Sequence, residues 1–127
     1  MSSSFEDLEA WKECRIFKLM VKELIKDFAE SEKYRLTDQL TRSSRSINSN
    51  IAEGYGRYNY LDNVRFCRIA RGSLNESLNH LIDAQDENYI SIVKLATIRI
   101  QYLKCSKLIN GYIAYLLKSK KEENHKP

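Results

Sequence analysis

Proline is absent from the first 126 residues of this 127-residue chain, and the one proline is Pro127. Proteins ordinarily contain about 5% proline, and a proline inside a helix removes a backbone hydrogen bond and clashes with the preceding turn. Glycine is also scarce, with four residues, so the turns that sandwiches and barrels require are few. We therefore predict an all-α fold, and the length fits a single domain.

Apolar residues recur at intervals of three and four in four segments, which is the spacing of one helix face. We predict helices over residues 5–29, 37–54, 60–85 and 91–118, in one domain over 1–117, with a polar tail over 118–127. Thr37, Asn59 and Ser91 stand where N-terminal capping residues are expected. Short connections between such helices favour an antiparallel up-and-down four-helix bundle.

Three of the glycines have predicted roles. Gly54 and Gly56 follow the last periodic residue of the second segment, where a glycine in the left-handed conformation often ends a helix. Gly72 lies inside the third predicted helix, where glycine costs about 1 kcal/mol relative to alanine. We expect Gly72 to let another backbone pass close to the helix.

The compartment is predicted from three features. Apolar runs are short, the longest being six residues at 112–117, too few to cross a bilayer. The first residues are polar and acidic, unlike a secretory signal. Cys14, Cys67 and Cys105 lie far apart and form no CxxC pair, so we expect reduced core thiols in a cytoplasmic protein.

Groups suited to catalysis are few. The two histidines are His80 and His125, and Glu76 with His80 occurs once, whereas a di-iron bundle needs a Glu-x-x-His pair from each of two helices. Arg71 and His80 are too far apart for the Arg/His motif of helical ribonucleases. Residues 54–57 lack the lysine of a phosphate-binding loop. We predict no enzyme, no cofactor and no metal, and a half-exposed His80 on its helix.

Charge is unevenly distributed, although the net charge of +4 is too small to indicate a partner. Residues 91–121 contain seven basic side chains and no acidic one, so pairs within the helix cannot neutralise them. This run is either a solvated face or a surface for a polyanion, of which nucleic acid is the commonest. The candidate contacts are Lys94, Arg99, Lys104 and Lys107.

Residues 35–71 contain seven arginines and no lysine. One interpretation is that these arginines form ion pairs and hydrogen bonds between helices or subunits, which suits the guanidinium group. The other is a phosphate-binding surface, with Arg42, Arg45 and Arg57 as candidates. Tyrosines beside Arg57 would then stack on bases, or else close the end of the bundle or a subunit contact; they are Tyr55, Tyr58 and Tyr60.

The fourth predicted helix has more apolar residues than one packing face needs. We expect the excess to contact a partner subunit. The residues are Ile92, Val93, Ala96, Ile100, Leu103, Ile113 and Leu117.

Four sequence blocks lie in a fixed order: FEDLEAW at 5–11, YxLTxQL at 34–40, SIxxNIAEGxGR at 46–57 and FxxIARGSLxE at 66–76. Together they resemble the four-helix-bundle proteins encoded in intervening sequences of bacterial 23S ribosomal RNA genes, over about residues 5–117. The resemblance implies a homopentameric ring. It also implies a relation to the accessory variability protein of diversity-generating retroelements, a basic pentamer that binds nucleic acid and a reverse transcriptase.

The resemblance assigns signature positions, which it implies are architectural rather than catalytic. They are Arg42, Asn50, Glu53, Gly54, Gly56, Arg57, Arg71, Gly72 and Glu76. The chain departs from the family's pattern around Arg42, where Thr41, Ser43 and Ser44 make the second helix more polar. The leading hypothesis is a non-enzymatic oligomeric scaffold that binds RNA or DNA. The alternative is a protein–protein assembly factor with no nucleic-acid role.

Overall fold

The computed structural model describes residues 4–32 and 34–124, and within them the chain forms four α-helices and no strand. The predicted all-α class is confirmed. Short 3₁₀ helices lie at Phe5–Asp7, Ile25–Asp27 and Glu30–Glu32. The α-helices are α1 Glu9–Leu24, α2 Leu36–Tyr55, α3 Tyr60–Asp86 and α4 Ile92–Asn124.

Two of the four predicted helices differ by several residues from the structure, and the other two agree to within one residue at each end. The segment predicted as one helix over 5–29 is α1 with a 3₁₀ helix on either side. The fourth helix continues to Asn124 and so includes most of the predicted tail, because no proline or glycine interrupts the lysine-rich residues after Leu117. His125 lies outside the described residues.

Two of the three predicted caps are confirmed. Asn59 Oδ1 accepts hydrogen bonds from the N–H groups of Leu61 at 2.8 Å and Asp62 at 3.1 Å. Ser91 Oγ accepts from the Lys94 N–H at 3.1 Å. Thr37 was the wrong choice, since α2 begins at Leu36. The Leu36 N–H instead donates to the Glu32 carboxylate at 3.3 Å.

The roles predicted for Gly54, Gly56 and Gly72 were wrong. Gly54 is buried inside α2, and Gly56 follows it with a φ of −74°, so neither is a left-handed stop. Among the described residues, a positive φ of 64° occurs at Asn88, just after α3. A Cβ on Gly72 would meet nothing within 4 Å, whereas a Cβ on Gly54 would collide with α3. The close approach of two helices is therefore at Gly54.

The helices pack in a closed cycle. α1 contacts α2 and α4, and α3 contacts the same two helices. The Ser43 and Ser77 hydroxyl groups are hydrogen-bonded at 2.8 Å, and those of Ser46 and Ser73 at 2.9 Å. A later residue of α2 therefore contacts an earlier residue of α3. These hydroxyl pairs explain how a serine-rich α2 forms a packed helix, because the polar groups are satisfied across the contact.

One apolar core lies between the four helices. Phe17, Leu40, Leu74 and Ile109 contribute fully buried side chains from α1, α2, α3 and α4 respectively. Each such burial contributes about 1.5–3 kcal/mol. The three cysteines are free and buried, which confirms their predicted place in the core. Among the described residues, no helix is both long and apolar enough to cross a membrane.

Candidate nucleic-acid interface

Two of the four basic candidates on α4 are paired with acidic residues, one in the 3₁₀ helix Ile25–Asp27 and one in α1. Lys94 Nζ lies 3.6 Å from Asp27 Oδ2, and Lys104 Nζ lies 3.1 Å from Glu13 Oε1. The basic residues of α4 have no acid in their own run to pair with, but Asp27 and Glu13 neutralise part of their charge. Because these pairs are partly solvated, each contributes little to stability, yet each reduces the charge that is free to meet a polyanion.

Glu13 is the most enclosed of these acidic groups, with a side chain 14% exposed. The Gln101 amide donates to the Glu13 backbone oxygen at 2.9 Å and to its carboxylate at 3.1 Å. The Gln101 hydrogen bond, followed by that of Lys104, lowers the pKa of the Glu13 carboxyl from its usual value. Glu13 therefore links α1 to α4 most strongly when it is ionised.

We expect the Glu13 contribution to stability to depend on pH. Since the pKa of Glu13 is lowered in the folded state, its ionised form stabilises the protein above the unfolded pKa of about 4.3, and this is lost as pH falls through the folded pKa. Urea midpoints of wild type and Glu13→Gln should differ most at neutral pH and converge in acid. A difference between the two urea midpoints that does not change with pH would contradict this expectation. Glu9→Gln serves as the control, because Glu9 is exposed.

Arg99 and Lys107 remain exposed on the outer side of α4, with no ion pair to any described residue. The same side carries Ile92, Ile100 and Leu103, whose exposed fractions are 70%, 72% and 58%. Intervals of three and four place all five on one stripe of the helix. We call this set the outer face of α4. Ile113, also predicted for this surface, lies instead in the core at 5% exposure.

Arg42 of α2 and Arg57, just after it, both pair with acidic residues of α2. Arg42 lies 3.4 Å from Asp38 and Arg57 2.6 Å from Glu53, both one helical turn apart. This differs from the expected pairing between helices, because each arginine has an acid at the i−4 position. Arg45 forms no ion pair with a described residue.

The aromatic residues after α2 do not form one cluster. The guanidinium of Arg57 lies 4.8 Å from the centroid of the Phe66 ring, a cation–π contact that holds it against α3. Tyr58 is fully exposed, whereas Tyr60 packs against the core. Of the predicted stacking residues, Tyr58 is therefore the one that presents its whole ring to solvent.

Several signature positions form contacts inside the protein. The Asn50 amide donates to the Ser46 carbonyl at 2.8 Å. Arg71 donates to Asn110 Oδ1 at 2.9 Å and so joins α3 to α4, an interhelical contact of the expected kind.

His80 is more enclosed than predicted. Its side chain is 14% exposed, and its Nε2 lies 3.3 Å from Glu76 Oε2. Its Nδ1 is buried with no hydrogen-bond partner among the described residues. No group of three or more His, Cys, Asp or Glu side chains in the described part of the chain is placed to hold a metal ion.

Sequence reasoning missed two basic residues of α1. Lys18 and Lys22 face Arg45 of α2 across a surface pocket. They were overlooked because residues 1–34 are net acidic. Their i,i+4 spacing was the available signal, since it places two like charges on one helix face.

These features define the class: an all-α protein of four helices, with basic and apolar residues on one outer face. A model of the family described as 23S rRNA-intervening sequence protein matches residues 6–111. The chain belongs to that family, as its sequence blocks predicted.

A solved structure shares the fold. It is the crystal structure of a protein of unknown function from the S23 ribosomal protein family of Bacteroides thetaiotaomicron. It is 23% identical to this chain and covers 82% of this chain and 97% of its own, with a TM-score of 0.75. None of the curated proteins is a match.

Proposed function

We propose that this protein is a non-enzymatic, homo-oligomeric helical scaffold that binds RNA or DNA through basic surfaces, in association with an rRNA intervening sequence. The observation that carries the proposal is the outer face of α4, where Arg99 and Lys107 are exposed and unpaired among the described residues. Arg45 on α2 is a further unpaired candidate, while the paired Lys94, Lys104, Arg42 and Arg57 are secondary ones. The contacts between α2 and α3 support an antiparallel up-and-down bundle.

Self-association has its own support on the same face. Ile92, Ile100 and Leu103 are large apolar side chains left mostly exposed, and contiguous apolar surface of this kind marks contact sites. A ring of five copies is the stoichiometry that the family resemblance implies. This face also supports the alternative of a protein–protein assembly factor, because a subunit seated on it would cover Arg99 and Lys107. The proposal of a reverse-transcriptase partner rests on the family resemblance alone.

We expect the purified protein to shift a structured rRNA fragment at about 50 mM salt and to lose affinity log-linearly as salt rises. Replacing Arg99 and Lys107 by glutamate should weaken binding about tenfold or more and reduce the salt slope by about two, since each residue neutralises one phosphate. Gel shift or fluorescence anisotropy measures both quantities.

The matched control is the pair Lys12→Glu and Lys26→Glu, which makes the same charge change on α1 and the 3₁₀ helix that follows it. Both lysines already have acidic partners. Light scattering on every variant separates lost RNA contacts from lost assembly. Absence of any shift at low salt would overturn the nucleic-acid proposal in favour of the assembly factor. A monomeric wild-type protein would overturn the proposed homo-oligomeric state.

A further inference from the structure

A pocket of about 430 Å³ lies between α1 and α2, separate from the outer face of α4. Leu19, Val21 and Ile25 supply its apolar lining, and Lys18, Lys22 and Arg45 supply its charge. No acidic residue lines it. A volume of this size lies within the range of small-molecule sites.

The three cations of this pocket have no ion-pair partner in the described residues. By contrast, Lys12 and Lys26, which do not line the pocket, are paired with Glu9 and Glu23 respectively. Lys18 and Lys22 are instead like charges one turn apart, an arrangement that destabilises a helix. An anion bound between them would relieve this repulsion.

The hydroxyl groups in the pocket are already engaged. Thr41 donates to the Thr37 carbonyl at 2.9 Å, and Ser44 donates to the Thr41 carbonyl at 3.2 Å. The remaining donors are therefore the two ammonium groups and the guanidinium. Three cations suit a phosphate monoester, which carries about −1.5 to −2 charge at neutral pH, better than a carboxylate with a single charge.

We propose that this pocket binds a phosphomonoester, with the phosphate held by Lys18, Lys22 and Arg45. The carbon body of the ligand lies against Leu19, Val21 and Ile25. A nucleoside monophosphate has this chemistry, and its source is either the free nucleotide or the 5′-phosphate end of a nucleic-acid strand. Arg45 is the one residue shared with the proposed nucleic-acid interface, so the decisive variants are at the two lysines.

The test is a titration of the full chain with adenosine monophosphate, adenosine and inorganic phosphate, followed by calorimetry and by amide chemical shifts. We expect the monophosphate to bind in the range of about 10⁻⁴–10⁻³ M, inorganic phosphate to bind more weakly, and adenosine not to bind detectably. Shifted amides should cluster at residues 18–25 and 41–45. Lys18→Gln with Lys22→Gln should reduce affinity about tenfold or more.

The control pair is Lys12→Gln with Lys26→Gln, which removes the same charge outside the pocket. Equal losses in both pairs would overturn the site, as would no binding at millimolar monophosphate or shifts confined to α4. Circular dichroism confirms that each variant is folded. The Arg99/Lys107 variant should keep monophosphate binding, so the two proposals can fail independently.

Competition identifies the source of the phosphate. Displacement of the monophosphate by a 5′-phosphorylated oligonucleotide, but not by its 5′-hydroxyl form, supports a strand end as the ligand. Displacement by neither supports the free nucleotide. Equal displacement by both would show that any backbone phosphate suffices and would overturn the monoester assignment.

Discussion

Replacing Gly54 by alanine is expected to destabilise the protein by about 1–3 kcal/mol, although alanine is the better helix former. An alanine Cβ would lie 2.6 Å from Asn63 Oδ1, 2.9 Å from Phe66 Cβ and 3.1 Å from the Asn63 backbone oxygen. The start of α3 would have to move away. That movement would also disturb Asn63, whose amide donates to the Tyr112 hydroxyl of α4 at 3.0 Å. Urea or thermal unfolding measures the loss.

Gly72→Ala is the matched control, since Gly72 also lies inside a helix but has open space around its Cα. There the alanine should stabilise the protein by about 0.5–1 kcal/mol through helix propensity. The two substitutions are therefore expected to have opposite signs. If Gly54→Ala were stabilising too, α2 and α3 would not approach each other as closely as the structure indicates.

The two glycines also show where sequence reasoning reached its limit. Spacing predicted that α2 and α3 exist, because apolar periodicity is a property of each segment alone. Asn59 and Ser91 were predictable as caps for the same reason, since each bonds to backbone groups within its own turn. Which glycine meets a second helix depends on how the helices are placed side by side, and no local pattern encodes that.

The candidate interface was also predictable only in part from the sequence. The acid-free run of α4 was visible as composition, and its exposed members Arg99 and Lys107 follow from helical spacing. The pairing of Lys104 with Glu13 was not visible, because it depends on the alignment of α1 against α4. The pocket at Lys18 and Lys22 was missed because its third cation, Arg45, comes from a different helix.

The largest loss of stability is expected from Asn48→Asp, a substitution that changes almost no volume. Asn48 is 5% exposed, and its Nδ2 donates to the Trp11 backbone carbonyl at 3.0 Å. Its Oδ1 is buried without a hydrogen-bond partner among the described residues. An aspartate would replace the donor by an acceptor facing that carbonyl and would bury an uncompensated charge, at a cost of about 3–5 kcal/mol.

The control for Asn48→Asp is the same substitution at Asn75, whose oxygen accepts from the Tyr102 hydroxyl at 2.6 Å. A carboxylate can accept that bond equally well, so Asn75→Asp should be nearly neutral. The loss of stability caused by Asn48→Asp should also become smaller as pH falls. Burial raises the pKa of an unpaired carboxyl, so that it is protonated and loses its charge in acid. Denaturation midpoints at neutral and acidic pH, each relative to wild type, test this. Equal losses at the two positions would contradict the assignment of Asn48 as a donor across the contact between α1 and α2.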